Sequence, residues 1–266
     1  MQPQQFIDRH RPALEADEPR YNLILAILDR LLAAPELGIR YWDLAEAGEC
    51  AVQSPSFPIV LGSLKTAACH ELADLTQELD YPGVVGNDMT AVHFVEHARA
   101  LGLHFAEPIP QTIYALREAP RYPGTVGSAR VVVPDDGPLL ADWLTAFYRE
   151  AVPHDTVPAR DKLTAVAAEG RHLFWIVDSR PVSLAGIQRR TRSAAAIATV
   201  YIPPEFRGRG YGGSVTAAVV ERIFAEGRKA ACLYTDLRNR FSNRCYVKIG
   251  FRPVCSSYHY LKTPSG

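Results

Sequence analysis

Residues 201–214 read YIPPEFRGRGYGGS, with Gly208, Gly210, Gly212 and Gly213 interleaved by Arg207 and Arg209. A plain turn needs one or two glycines, not four. The preceding run, AAAIATVYI, reads as a strand, and apolar spacing predicts a helix from about Tyr211 to Glu226. The loop therefore feeds a helix N-terminus, where four backbone N–H groups lack partners and the helix dipole is positive. Glycines let the backbone approach a ligand closely and let successive amides converge. Such a place suits a phosphate or pyrophosphate.

Three phosphate-loop patterns compete for this stretch. A Walker loop needs lysine followed by Ser or Thr, and neither is in place. Gly208, Gly210 and Gly213 satisfy the G-x-G-x-x-G spacing of a dinucleotide site. That reading lacks the surrounding run of alternating parallel strands and helices. The third pattern, R-x-x-G-x-G, is met by Arg207, Gly210 and Gly212 behind a strand and Pro203-Pro204.

Outward from the loop, ACLYTDL reads as the next strand, then a helix from about Phe241 to Ile249, then a last strand, FRPVCSSYHYL. Upstream, HLFWIVD and PVSLAGIQRR read as a hairpin turning at Ser179-Arg180. ARVVV reads as a strand, and Asp135 or Asp136 starts the helix PLLADWLTAFYREA. A further helix is expected after Val157. The segment EAPRYPGTVG (118–127) is rich in proline and glycine and is taken as a domain boundary.

Before it, helices are expected at 21–34, at 66–79 and from Asn87 or Asp88 to Gly102. Strands are expected in RYWDLAE, FPIVLGSL, LHF and TIYAL. A weak internal echo links VVGNDMTAVHFVEHARALGLHF with GYGGSVTAAVVERIFAEGRKAACLY.

The chain has 266 residues, 47% hydrophobic and 22% charged, with 29 basic and 29 acidic side chains. That is a soluble globular composition with no global pull toward nucleic acid. No apolar run approaches the ~18 residues of a membrane span. The polar first residues do not read as a signal peptide. Five scattered cysteines without C-x-x-C spacing suggest reduced thiols, a cytoplasmic setting and no metal site.

VYIPPEFRGRGYGG resembles the acyl-coenzyme A pyrophosphate loop of the GNAT N-acetyltransferase superfamily. CLYTDLRNRFSNRCYVKIGFRPV is similar to that superfamily's second signature, a strand, Asn-x-x-Ser, a helix with Tyr, then Gly-Phe and a strand. The chain also resembles two-part acetyltransferases related to the glycine-acyltransferase-like branch, in which the N-terminal half is a degenerate copy. The resemblance implies an α/β fold of tandem GNAT-like units. Each would have a mixed, mostly antiparallel sheet flanked by helices, with a splayed strand pair that binds acyl-CoA. Residues 1–125 would be the degenerate unit and 126–266 the catalytic one.

The activity it implies is transfer of acetyl from acetyl-CoA directly to a primary amine of a small molecule or peptide. The alternative is a non-catalytic acyl-CoA sensor or interaction protein. The backbone of Val200, Tyr201 and Ile202 would pair with the pantetheine arm. Arg207, Gly208, Arg209, Gly210, Tyr211, Gly212 and Gly213 would hold the pyrophosphate. Asn239 and Ser242 would touch the pantetheine or nucleotide, with Arg240 standing where the family often has proline. Tyr246 would serve the leaving thiolate.

The general base is less evident; Asp236 and Glu205 are the nearest acids, and water is a further route. His154, His172 and His259 are isolated and read as surface or core residues; Trp143 and Trp175 read as core. The basic run RRTR (189–192) reads as a solvated hairpin end, or as an attractor for an acidic substrate or for the 3′-phosphate of coenzyme A. A homodimer is compatible with the sequence, and no nucleic acid, membrane or metal is expected.

Overall fold

The computed structural model describes residues 1–264. In chain order, helices α1 (Pro3–Glu15) and α2 (Glu18–Ala33) precede strands β1 (Arg40–Asp43), β2 (Cys50–Gln53) and β3 (Ile59–Leu61). Then come α3 (Thr66–Thr76), β4 (Gly83–Asn87), α4 (Thr90–Ala100), β5 (His104–Phe105) and β6 (Ile109–Leu116). The chain continues with β7 (Ser128–Val131), α5 (Gly137–Ala151), α6 (Arg160–Ala165), β8 (His172–Val177), β9 (Arg180–Arg190) and β10 (Ala194–Tyr201). It ends with α7 (Tyr211–Ala225), β11 (Ala230–Asp236), α8 (Arg240–Ile249) and β12 (Arg252–Thr263).

Two compact units result. The first comprises Met1–Tyr114, Tyr234–Arg240 and Pro253–Gly266; the second comprises Ala115–Leu233 and Phe241–Arg252.

In the first unit, β1, β2 and β3 are antiparallel, β3 and β4 are parallel, and β12 pairs antiparallel with β4. One core cluster joins Phe6, Leu14 and Leu28 of the first two helices to Val52 and Val60. Another joins Leu72 and Phe94 of α3 and α4 to Ala51, Leu61 and Val84. With both faces covered, β2 and β3 are buried at every position. Such strands read as short apolar runs without alternation, which is why β2 and β4 carry no clear strand signal. Helix α1, also absent from the sequence reading, buries Phe6, Ile7, His10 and Leu14 at helical spacing within a polar segment. Asn87 and Asp88 do not cap α4: Asn87 ends β4, and the N-cap is Met89.

In the second unit, β7 through β10 are antiparallel neighbours. Strand β10 pairs in parallel with β11 from Ala194↔Ala230 to Ile197↔Leu233. The β8–β9 hairpin turns through Asp178 and Ser179, both left-handed, one residue earlier than the sequence suggested. Phe174, Leu184 and Tyr201 form a core with Leu140, Leu144 and Leu163 of α5 and α6. Trp143 meets Phe174 edge-on at 5.1 Å, the core role expected of it. Helix α7 packs on β8, β9 and β10.

The 118–127 segment is not a loose linker. Tyr122 donates to Glu221 of α7 at 2.7 Å, Thr125 bonds Ser214 at 2.6 Å, and Trp175 Nε1 donates to the Val126 carbonyl.

Candidate active site

The glycine–arginine stretch is a loop from β10 into α7. After Tyr201 a 3₁₀ turn at Pro204–Phe206 closes with Phe206 N donating to Pro203 O at 2.9 Å. Gly208 and Gly210 take positive φ, 78° and 83°, and Gly210 is the N-cap residue. No side chain caps the helix. Ser214 N is already bonded to Gly210 O, so the amides of Tyr211, Gly212 and Gly213 precede the helical ladder. An uncapped, glycine-walled helix N-terminus attracts an anion.

The glycines are shaped by protein as well as by any ligand. A Cβ on Gly210 would come within 2.9 Å of Thr125 Cγ2, and one on Gly212 within 2.8 Å of Ile202 Cδ1. A Cβ on Gly208 would meet nothing within 4 Å.

The two arginines differ. Arg207 is tied down: its Nε donates to Ile202 O at 3.0 Å, and its Nη2 pairs with Glu150 of α5 at 2.6 Å. Arg209 is exposed and has no partner among the described residues. Tyr211 is buried, and its carbonyl accepts from Ser183 Oγ at 3.0 Å, so only its amide can serve a ligand.

Tyr201 faces the α5–α6 core, while Val200 and Ile202 are half-exposed. Between Ala198 and Tyr201 the β9–β10 register is irregular, and Thr199 adopts a left-handed φ of 54°. Such a bulge re-aims the side chain it carries.

On α8, Ser242 and Tyr246 lie four residues apart and touch. Burial raises the Tyr246 phenol above its ordinary pKa, and a hydrogen bond from Ser242 works against the rise. The phenol is therefore a protonated donor at neutral pH. Its ring is buried and meets Phe251 at 6.0 Å.

Asp236 and Asn239 belong to the first unit. Asp236 makes a bidentate pair with Arg238, the shorter contact being 2.7 Å, and caps Arg238 N. Asn239 N donates to Asp236 O just ahead of α8. Glu205 is exposed in the 3₁₀ turn.

The cysteines are free, and all but Cys245 are buried; burial raises the Cys245 thiol, which keeps it protonated and a poor nucleophile. Among the described residues, no three His, Cys, Asp or Glu side chains are placed to hold a metal, and no helix is long and apolar enough to cross a membrane.

His172, read from the sequence as an isolated surface or core histidine, lies in the core. It is 4% exposed, and its Nε2 stands 3.2 Å from Thr199 Oγ1 on the β10 bulge. Its Nδ1 is buried without a partner. Burial pushes its pKa down to about 4, with Arg171 adding to the shift. The available signal was Gly186, whose missing side chain leaves room for the imidazole on the next strand.

Residues 175–260 match the FR47-like protein family. No curated protein matches the chain. A solved Drosophila protein aligns over 100% of this chain and 98% of its own, at 14% identity and a TM-score of 0.71. A GCN5-related N-acetyltransferase from Kribbella flavida covers 91% of this chain and 96% of its own, at 16% identity and a TM-score of 0.57. A tandem GNAT protein from the clavulanic acid biosynthesis pathway covers 91% and 88%, at 12% identity and a TM-score of 0.53. The fold is thus a mixed α/β GNAT fold, and the FR47-like match lies within it at residues 175–260.

Proposed function

We propose that the chain is an acyl-CoA-dependent N-acyltransferase that moves an acetyl group from acetyl-CoA to a primary amine of a small molecule or peptide, with the chemistry in its second unit. The observation that carries this is the uncapped N-terminus of α7, entered through two left-handed glycines and flanked by an unpaired Arg209. It offers amides and a positive charge to a pyrophosphate. The edge of β10 through Val200–Ile202 would lie along the pantetheine arm. Arg207, held by Glu150, would shape the loop and contribute charge. Asn239 and Ser242 would lie near the pantetheine or nucleotide.

In the reaction, the neutral amine attacks the thioester carbonyl carbon. A C–N bond forms, the C–S bond breaks, and the amine's surplus proton passes to water or to Asp236. The thiolate takes a proton or a hydrogen bond from Tyr246. Ser242 hydrogen-bonds the phenol, and with Ser242 as the donor the phenolic hydrogen is left for the sulfur.

Among its described residues the first unit offers no equivalent loop. Where β4 turns into α4 the chain places Asp88, at a φ of 48°, ahead of the helix. Its carboxylate pairs with Arg20 at 3.2 Å, and the turn lacks the R-x-x-G-x-G spacing, which supports one acyl-CoA site per chain. The degenerate half would then shape a substrate cleft or a dimer contact.

The test is amine-dependent release of coenzyme A thiol from acetyl-CoA across amino acids, peptides, polyamines and aminoglycosides. At least one class should give turnover above the rate without amine. Tight acetyl-CoA binding with no turnover on any class would instead support the sensor alternative.

A further inference from the structure

Residues 121–127, RYPGTVG, lie along α7 as a strap. Arg121 N donates to the Ile249 carbonyl at 2.8 Å, the Tyr122 hydroxyl donates to Glu221 at 2.7 Å, and the Val126 carbonyl accepts from Trp175 Nε1 at 2.9 Å. From Glu221 back to Gly210 is about 16 Å of helix at 1.5 Å per residue, so the strap reaches the N-terminus of α7. There it leaves no room for side chains. A Cβ on Gly213 would stand 3.0 Å from Pro123 Cγ, and one on Gly210 would stand 3.6 Å from Pro123 Cβ and 2.9 Å from Thr125 Cγ2. The strap is thus packed against the turn of α7 that presents its unpaired amides.

Two hydroxyls meet at this contact. Thr125 Oγ1 and Ser214 Oγ stand 2.6 Å apart. Together they carry two hydrogens, and their mutual bond uses one. Ser214 is the fourth residue of α7, fully buried, and its Oγ has no other partner among the described residues. Were Thr125 the donor, the Ser214 hydrogen would be buried without an acceptor, a costly arrangement. Ser214 is therefore the donor. Thr125 is half-buried, and among the described residues its hydroxyl has no acceptor. Its hydrogen is left for a group outside the protein.

The neighbouring groups say what that group is. Neither the strap nor the first turn of α7 carries an acid. What they and the loop leave uncommitted are the amides of Tyr211, Gly212 and Gly213, the Thr125 hydroxyl and the exposed Arg209. A partner that accepts from a hydroxyl, several amides and a guanidinium at once is an anion with several oxygens.

We propose that Thr125 is a binding residue of the acyl-CoA site, that its hydroxyl donates to a diphosphate oxygen of the bound acyl-CoA, and that the 121–127 strap holds it there. The inference deepens the N-acyltransferase reading and rests on it for the ligand. Thr125 serves the diphosphate alone; the pantetheine arm leaves the loop along β10.

The experiment measures binding to the full-length protein of three probes: acetyl-CoA, inorganic pyrophosphate and S-acetylpantetheine, which keeps the acyl arm and lacks the diphosphate. Thr125→Val keeps the side-chain shape and removes the hydroxyl. It should weaken acetyl-CoA and pyrophosphate about tenfold and leave S-acetylpantetheine unchanged. Thr125→Ser, which keeps the hydroxyl, should return both affinities to within about twofold of wild type. Unchanged acetyl-CoA affinity in folded Thr125→Val overturns the proposal. So does an equal loss for S-acetylpantetheine, or a Thr125→Ser variant as weak as Thr125→Val, because either would reduce Thr125 to packing.

Thermal melts without ligand show which variants fold. Should Thr125→Val not fold, the double variant Thr125→Val with Ser214→Ala removes the orphaned hydrogen and carries the same comparison, with Ser214→Ala alone as its reference. Failure of the acyltransferase reading shows differently, as no amine-dependent thiol release while acetyl-CoA and pyrophosphate still bind in a Thr125-dependent way. Wild-type protein that binds neither acetyl-CoA nor pyrophosphate overturns both.

Discussion

Tyr246 and His172 are both buried side chains with one polar end, and they invite different tests. Tyr246→Phe removes an oxygen that Ser242 holds in place. Turnover should fall at least ~10²-fold, because a general acid typically contributes ~10²–10⁴. Acetyl-CoA affinity should stay within a few-fold, since the phenol acts on the departing sulfur. Rapid-quench kinetics that isolate the chemical step check this; near-normal rates would return Tyr246 to the core beside Phe251.

The two loop arginines separate in the same way. Arg209→Ala should weaken acetyl-CoA about tenfold, as expected for a lost hydrogen bond to a charged group. The loss should shrink with added salt. Calorimetry at two ionic strengths measures it. Arg207→Ala should also perturb the loop, because it opens the Glu150 pair and the bond to Ile202 O; that exposed pair is itself worth only about 0.2–1 kcal/mol.

At the scale of elements, β8 and β9 pack the His172 ring against a position occupied by glycine. A methyl group at Gly186 would overlap the His172 ring. Gly186→Ala should therefore cost about 1–3 kcal/mol by overpacking, read as a lower thermal midpoint. A midpoint equal to wild type would show that the ring moves aside freely.

The β10–α7 loop was legible in the sequence because its chemistry is local, with strand, glycines and helix lying within some thirty consecutive residues. So was α8, where Ser242 and Tyr246 lie one turn apart. What could not be read depends on long-range packing. His172 gains its meaning from Gly186 and Thr199, each on a different strand. Helix α1 gained its apolar stripe only against α2 and the sheet, and β2 lost its alternation because both its faces are covered.

At the scale of the whole molecule, His172 links acidity to stability. Its pKa is about 4 in the folded chain against an ordinary 6.5. Below pH 6.5 the unfolded chain binds a proton that the folded chain refuses, so stability is whole above pH 6.5 and is lost as pH falls toward 4. The full span is about 3 kcal/mol at 1.36 kcal/mol per unit. His172→Phe should flatten that part of the acid limb, which thermal melts between pH 7 and 4.5 would show; an unchanged acid limb would mean His172 protonates without cost.

The central claim is a single acyl-CoA site, built by the β10–α7 loop, in a chain whose other half carries Asp88 where that loop would be. Calorimetric titration of acetyl-CoA into the full-length protein tests it most directly, with Arg209→Ala as the companion. The account predicts one acetyl-CoA per chain and a weakened, salt-sensitive site in the variant. Two per chain, or one whose affinity is untouched by Arg209→Ala at low salt, would contradict it.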